Sequence, residues 1–187
     1  EQKQVTLLEA KNVGVEKKLL FFGQQYWFRG QYGEVAKNQK VGVYLDFDNS
    51  QKNGLGMPLP KGTLRVYKAD KSGAQQFVGE DSIDHTPRDE ELRVKLGEGF
   101  DVVADRKQMR WSALGSCSSE STWEIELRNH KDAAVAVEVH EPAGGDWTVV
   151  QSSHPAVRKD AQTFTFDVRV PARGKTKVTY TVRVRWC

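Results

Sequence analysis

The stretch from Phe77 to Pro87 concentrates the residues whose types could carry chemistry. It reads Phe-Val-Gly-Glu-Asp-Ser-Ile-Asp-His-Thr-Pro and brings Glu80, Asp81, Asp84 and His85 close together in the chain. Carboxylates suit calcium or magnesium, and a histidine suits zinc. In a turn these side chains could converge on one cation, whereas in a strand Asp84 and His85 would point to opposite faces. Their spacing matches neither the calcium-loop pattern nor His-Glu-x-x-His, so neither a metal nor a cofactor is predicted.

A local structural role is the favoured interpretation of this stretch. Asp84 and Thr86 come just before Pro87, where short polar side chains bond the nearby backbone in Asx- or ST-type turns. The stretch then shapes a connection between strands predicted at 63–67 and 92–96. Glu80, Asp81, Asp84 and His85 stay candidates for ligand binding.

Asp101 and Asp105 complete the set of candidate ligand-binding residues. Together with the carboxylates near residue 80 they could form a glycosidase pair, which needs two carboxyl groups ~5–10 Å apart. The simpler interpretation pairs them with Arg106, Lys107 and neighbouring arginines on a solvent-facing sheet. The chain has no Gly-x-Ser-x-Gly motif, the main signature of serine hydrolases. No catalytic residue is therefore predicted, and a hydrolase that uses these carboxylates is the alternative function.

The two cysteines are Cys117, in a serine-rich loop, and Cys187, the last residue. A disulfide between them requires an oxidising compartment, and a frayed terminus is a poor anchor for one. Two unpaired thiols are the favoured interpretation.

The overall composition is that of a water-soluble globular protein. The 187 residues are 38% hydrophobic and 28% charged, with a formal net charge of +3. The basic residues form no clustered patch of the kind that phosphate binding requires, so nucleic acid is not a predicted partner. No run approaches the ~20 apolar residues of a membrane-spanning helix. The first residues lack the layout of a secretion signal.

Alternating apolar and polar residues predict an all-β fold with almost no helix. Alternation suits a strand with one buried and one wet face, because successive side chains point to opposite faces. The clearest runs are 123–128, 135–140, 164–170 and 178–186. Less regular strands are predicted at 5–8, 18–28, 41–47, 63–67, 75–78 and 92–96. Short strands at intervals of roughly 8–12 residues predict an antiparallel β-sandwich.

Two arrangements of domains fit this pattern. The first is a β-rich N-terminal unit of residues 1–97, followed by an Ig-like sandwich of residues 98–187. The second is one continuous sandwich over residues 1–187. Residues 100–111 could form a long strand that bridges both halves.

Aromatic and basic side chains on the predicted strands have structural interpretations, and some of them have a binding interpretation as well. Trp123 and Trp186 fall on inner faces and are predicted to be core. Tyr26–Phe28 with Tyr32 could form an exposed platform for sugar rings or a protein partner, or be buried between two units. Arginines 183 and 185 are predicted to make cross-strand ion pairs with glutamates 124, 126 and 138, and a polyanion site is the less favoured alternative.

Several motifs, in this order, resemble one bacterial family. They are Leu-Pro-Lys-Gly-Thr-Leu-Arg-Val-Tyr (59–67), Gly-Glu-Asp-Ser-Ile-Asp-His-Thr-Pro (79–87), Phe-Asp-Val-Val-Ala-Asp-Arg-Lys (100–107), Glu-Leu-Arg-Asn-His-Lys (126–131), Gly-Asp-Trp (145–147) and Ser-Ser-His-Pro (152–155). Together they resemble the C-terminal domain of the mucoidy-inhibitor-A-like proteins, over residues 32–186. In that family the domain follows a small β domain and a coiled coil, and the two cysteines lie outside the pattern.

The resemblance implies a fragment of an exported envelope protein, in the periplasm or at the cell surface. It implies no reaction and no catalytic residues. The predicted function is a non-enzymatic β-sandwich module that binds a protein or glycan partner. The alternative is a carbohydrate-active or other envelope hydrolase that uses the carboxylates between residues 80 and 105.

Overall fold

The computed structural model describes residues 9–24 and 30–187, and the chain divides into two compact units. The first unit comprises the described residues up to Lys18 together with Val43–Gly97. The second comprises the described residues of Leu19–Gly42 together with Glu98–Cys187. Both this division and the sequence-based one separate residues 97 and 98, but residues 19–42 belong here to the second unit.

The described residues are almost entirely β-structure, which confirms the predicted all-β class. Their one helical element is a single 3-10 turn, Gln51–Asn53. The strands are β1 (Glu16–Phe22), β2 (Glu34–Asp48), β3 (Gly62–Ala69), β4 (Gln75–Ile83), β5 (Glu91–Ala113), β6 (Ser118–Asn129), β7 (Val135–Pro142), β8 (Asp146–Ser152), β9 (Val157–Arg158), β10 (Thr163–Val170) and β11 (Lys175–Arg185).

Nine of these strands form one sheet, and the other two form a separate hairpin. The order in the large sheet is β8-β11-β6-β5-β2-β1-β7-β10-β9. Strand β1 runs parallel to β7, whereas β10 with β7, β11 with β6 and β5 with β6 are antiparallel. Strands β3 and β4 pair antiparallel in the first unit.

The core of the second unit lies between two layers of this sheet. Every second residue of β6 is buried, including Trp123. The rings of Phe164 and Phe166 on β10 lie 5.3 and 5.5 Å from the ring of Tyr180 on β11. Trp147 on β8 contacts Phe164 at 5.3 Å. Strands distant in sheet order therefore meet face to face, as the layers of a sandwich do.

Cys117 and Cys187 form a disulfide, so the prediction of two unpaired thiols is wrong. Their Cα atoms lie 5.6 Å apart. Strand pairing places Arg185 opposite Ser118, and the Trp186 N–H donates to the Cys117 carbonyl at 3.0 Å. The last residues are therefore held beside β6 by the sheet, which provides the anchor that a frayed terminus would lack.

Several predicted elements differ in extent from those observed. Strand β4 continues through Ile83, so only residues 84–90 connect it to β5. Strand β5 is a single strand of 23 residues with residues in both units. Trp123 is fully buried, whereas Trp186 is half-buried. The predicted strand at 5–8 and the aromatic run Tyr26–Phe28 lie outside the described residues. Within those residues, none of the helical structure has the length and apolar character of a membrane span.

Candidate functional site

A buried asparagine in the first unit organises the two loops that form the candidate site. Asn49 directly follows β2 and is 0% exposed. Its Nδ2 donates to the carbonyls of Met57 and Pro87, both at 2.8 Å, and its Oδ1 accepts from the Gly56 N–H at 3.2 Å. The Asn49 N–H also donates to the carbonyl of Glu90 at 2.9 Å. One side chain therefore fixes the loop after the 3-10 turn against the connection between β4 and β5.

A short backbone pairing locks the same two loops together. The Leu59 N–H donates to the Thr86 carbonyl at 2.9 Å, and the Thr86 N–H donates to the Leu59 carbonyl at 3.0 Å. Leu59 is flanked by Pro58 and Pro60, which have no N–H and a fixed φ. These prolines cannot extend the ladder, so the pairing stops at one bridge and the flanking rings are left at the surface.

These loops border an open surface recess of about 480 Å³, which we call the proline recess. It is lined by Pro58, Leu59, Pro60, His85, Thr86 and Pro87. The volume falls within the ~300–1,000 Å³ typical of ligand pockets. Its walls are mainly apolar rings held by Asn49 and by the Leu59–Thr86 pairing, so its shape is set before any ligand arrives.

The polar residues beside the proline recess bond to the local backbone. His85 Nδ1 accepts from the Lys61 N–H at 3.2 Å, which leaves the proton of a neutral imidazole on Nε2. Asp84 Oδ1 accepts from the His85 N–H at 2.8 Å, and Thr86 Oγ1 donates to the Asp84 carbonyl at 2.9 Å. Both side chains therefore bond the local backbone, as the turn interpretation predicts, although neither bond has the Asx- or ST-turn pattern, in which a side-chain oxygen accepts from the N–H two residues on.

Glu80 and Asp81 lie on β4 and have structural partners of their own. Glu80 pairs with Arg65 of β3 at 2.9 Å. Asp81 Oδ2 accepts from the Lys95 N–H of β5 at 2.8 Å. A Cβ on Gly79 would lie 2.2 Å from the Leu96 carbonyl oxygen, so glycine is required where β4 meets β5. The carboxylates of β4 therefore join strands.

Asp101 and Asp105 lie in the second unit, so the six candidate residues are divided between the two units. Asp105 binds the Arg128 guanidinium through both oxygens and accepts from the Asn38 N–H at 2.7 Å. The hydrogen bonds from Arg128 hold the pKa of Asp105 below its usual value. The Asp101 carbonyl accepts from the His130 N–H at 2.7 Å. Across residues 9–24 and 30–187 no group of three or more His, Cys, Asp or Glu side chains could hold a metal ion.

Arg106 was predicted to lie on a wet sheet face, and this is wrong because it is buried in the core. It is 1% exposed and bonds Glu141, which is 0% exposed, at 2.6 Å. The Tyr180 hydroxyl donates to the same carboxylate, and the guanidinium stacks on Trp123 at 3.9 Å. Arg106, Glu141, Tyr180 and Trp123 form what we call the buried ionic cluster.

The alternating pattern of the strands explains why this cluster is internal. Arg106 shares the face of Val102 and Ala104 on β5, and Glu141 shares the face of Val139 on β7. Extending the alternation of buried residues by two positions along each strand predicts that Arg106 and Glu141 are buried. Burial and the adjacent Glu141 raise the pKa of Tyr180 well above its usual value. Desolvation lowers the pKa of Arg106, but the Glu141 carboxylate outweighs this and keeps it raised.

The solvent face of β6 and β11 carries cross-strand ion pairs, but Arg183 and Arg185 do not pair with the predicted glutamates 124, 126 and 138. Arg183 bonds Glu120 at 2.6 Å, and Lys177 bonds Glu124 at 2.9 Å. Arg185 instead donates from Nε to the Cys187 carbonyl at 3.0 Å. Exposed pairs of this kind contribute only ~0.2–1 kcal/mol each, and they indicate a solvated face.

Comparison of the chain with protein-family models, curated proteins and solved structures gives no match.

Proposed function

We propose that this chain is a non-enzymatic binding module of a bacterial cell-envelope protein, and that it binds a protein partner through the proline recess. The observation that carries the proposal is the preformed apolar recess of about 480 Å³ between two fixed loops. A rigid recess favours binding because little conformational freedom is lost when a partner enters.

The lining of the recess favours an apolar or aromatic side chain over a sugar. Prolines 58, 60 and 87 and Leu59 supply flat hydrocarbon walls, which gain free energy by covering apolar surface. The polar groups of Asp84 and Thr86 already bond within the turn, so few remain to bind sugar hydroxyls. A glycan partner is therefore the less favoured ligand.

The proposed location is the periplasm or the cell surface. The disulfide between Cys117 and Cys187 supports it, since such bonds persist in oxidising compartments. An exported protein is also what the sequence resemblance implies. Binding is favoured over hydrolysis because Glu80, Asp81 and Asp105 each have a strand-joining or arginine partner.

The test has two steps, of which the first uses N-acetyltryptophanamide as an aromatic side-chain probe. Titration followed by NMR should shift the amide signals of Leu59, His85 and Thr86, and His85→Trp, which fills the recess, should abolish the shifts. The matched control Lys52→Trp adds a tryptophan on an exposed residue of the same unit and should leave them intact.

The second step places a photo-crosslinking phenylalanine analogue at Pro60 or, as a control, at Lys52 in bacterial cells. A discrete protein adduct at Pro60 that His85→Trp removes is the expected result. Adducts of equal yield at both positions, or probe shifts that spread evenly over the first unit, would contradict a binding role for the recess.

A further inference from the structure

The end of the β3–β4 hairpin exposes an aromatic pair that contributes nothing to the core. Tyr67 and Phe77 face each other across the two strands, with ring centroids 5.6 Å apart. Tyr67 is 50% exposed, Phe77 is 56% exposed and the neighbouring Val78 is 41% exposed. A pairing shift between Val66 and Tyr67 marks a β-bulge at this point, and bulges re-aim side chains next to functional surfaces.

Two lysines lie beside this apolar surface and form no ion pair with the described residues. Lys68 and Lys71 line a recess of about 450 Å³ together with Phe77 and Val78. Among the described residues neither lysine has a carboxylate within ion-pair distance. Asp70 lines the same recess and keeps its negative charge, so these two lysines and one aspartate present a net charge of +1 to a facing surface.

The one carboxylate at this end of the hairpin is occupied by the turn itself. Asp70 Oδ1 accepts from the Ser72 N–H at 2.8 Å, the Ser72 hydroxyl at 2.6 Å and the Ala74 N–H at 3.1 Å. Its Oδ2 accepts from Gln76 Nε2 at 3.2 Å. These bonds, led by that from the Ser72 side chain, lower the pKa of Asp70, and they orient its oxygens into the turn.

We propose that the end of this hairpin, residues 67–78, docks on an anionic phospholipid surface. Aromatic rings favour the boundary between headgroups and acyl chains, and lysines near an anionic bilayer add attraction for its phosphates. The aromatic pair enters the interface, Val78 adds apolar area, and Lys68 and Lys71 contact headgroup phosphates. The surface is separate from the proline recess, so this proposal does not rest on the recess binding a partner.

Vesicle binding of the full chain tests the proposal. The probes are vesicles of phosphatidylcholine alone and of phosphatidylcholine mixed with phosphatidylglycerol. Binding to the anionic vesicles should be roughly five- to thirtyfold stronger, the range for one to two effective basic residues. Lys68→Gln with Lys71→Gln should remove most of this preference without touching an apolar contact.

Aromatic removal supplies the second arm of the test. Phe77→Ser should weaken anionic vesicle binding roughly tenfold, because about half of the Phe77 ring is exposed to water in the free protein and would be buried on binding. The matched control is Phe100→Ser, because Phe100 is 79% exposed and lies in the second unit. Circular dichroism and thermal unfolding of each variant verify that the fold is retained.

Three results would overturn the proposal. The first is vesicle binding that is absent or independent of phosphatidylglycerol. The second is an equal loss in Phe77→Ser and Phe100→Ser. The third is a dimer in sedimentation velocity that Phe77→Ser dissociates, because a second copy of the chain would then cover the aromatic pair. His85→Trp should bind vesicles as the parent protein does, and this result would distinguish the hairpin surface from the proline recess.

Discussion

Removing one partner of the buried ionic cluster should destabilise the second unit strongly. Arg106→Met keeps an unbranched side chain in the core but leaves the Glu141 carboxylate, among the described residues, with only the Tyr180 hydroxyl as a bonding partner. The lost contacts include Arg106 Nε to Glu141 Oε2 at 2.9 Å, the second guanidinium bond at 2.6 Å and the stack on Trp123. A buried charge stripped of its partner typically costs 3–5 kcal/mol, and about 4 kcal/mol of unfolding free energy should be lost here.

Changing both partners should cost much less than the sum of the single changes. Glu141→Gln alone leaves the Arg106 charge buried, so its cost should again be about 3–5 kcal/mol. In the double variant Arg106→Met with Glu141→Gln no charge remains, and the new amide can still accept from the Tyr180 hydroxyl. The expected cost is about 1–3 kcal/mol, because what remains is mainly imperfect packing and one weakened hydrogen bond.

Urea unfolding followed by far-UV circular dichroism and tryptophan fluorescence measures these differences. Lys107→Met is the matched control, since Lys107 is the exposed neighbour of Arg106 on β5 and should change stability by less than about 0.5 kcal/mol. Asn49→Ala, in the first unit, assigns to that unit any unfolding transition that it shifts. An Arg106→Met variant as stable as Lys107→Met, or strictly additive single costs, would refute the reasoning.

Three further perturbations have defined outcomes. Asn49→Ala should cost about 2–4 kcal/mol by leaving buried backbone groups unpaired and should broaden the NMR signals of the recess loops; an unchanged spectrum would contradict its positioning role. Replacing Cys117 and Cys187 by serine should cost about 2–4 kcal/mol of unfolding free energy, since the bond joins residues 70 positions apart; equal urea midpoints would contradict this. Because Arg128 holds the pKa of Asp105 below the ordinary 3.8, its stabilisation is complete above that value and lost as pH falls through the lower folded pKa. Asp105→Asn should therefore be less stable than the parent protein at neutral pH, and its melting temperature should change less as the pH falls into the acid range. Melting temperatures that fall with pH by the same amount in both proteins would exclude the effect.

Local alternation is enough to predict the four most regular strands, β6, β7, β10 and β11, but not the contacts that depend on pairing. The runs around Trp123 and Tyr180 alternate cleanly, and both side chains are buried as alternation requires. The disulfide was missed because it depends on Arg185 lying opposite Ser118, a register that no local pattern of residues determines. Long-range strand pairing therefore determines that Cys187 forms a disulfide and is not a free thiol.

The candidate site illustrates the same division between local and long-range information. The turn bonds of Asp84 and Thr86 are local, and the residue types near Pro87 predict them. The recess itself requires Leu59 to pair with Thr86, which brings together two loops separated by a complete hairpin. The acidic residues are candidates because of their residue type alone, whereas the apolar recess beside them forms only through that pairing.

Asn49 has a counterpart in the second unit, and the comparison defines what each asparagine does. Asn129 ends β6 and is 1% exposed; its Nδ2 donates to the carbonyls of Ala133 and Pro171 at 2.9 and 3.0 Å, and its Oδ1 accepts from the Lys131 N–H at 3.0 Å. Both side chains thus satisfy backbone groups of two loops at the end of a strand, which is what lets those loops be buried. The two substitutions to alanine should therefore cost similar free energy, yet only Asn49→Ala should disturb probe binding at the proline recess. Equal loss of probe binding in both variants would show that recess binding follows global stability instead of the local loop geometry that Asn49 maintains.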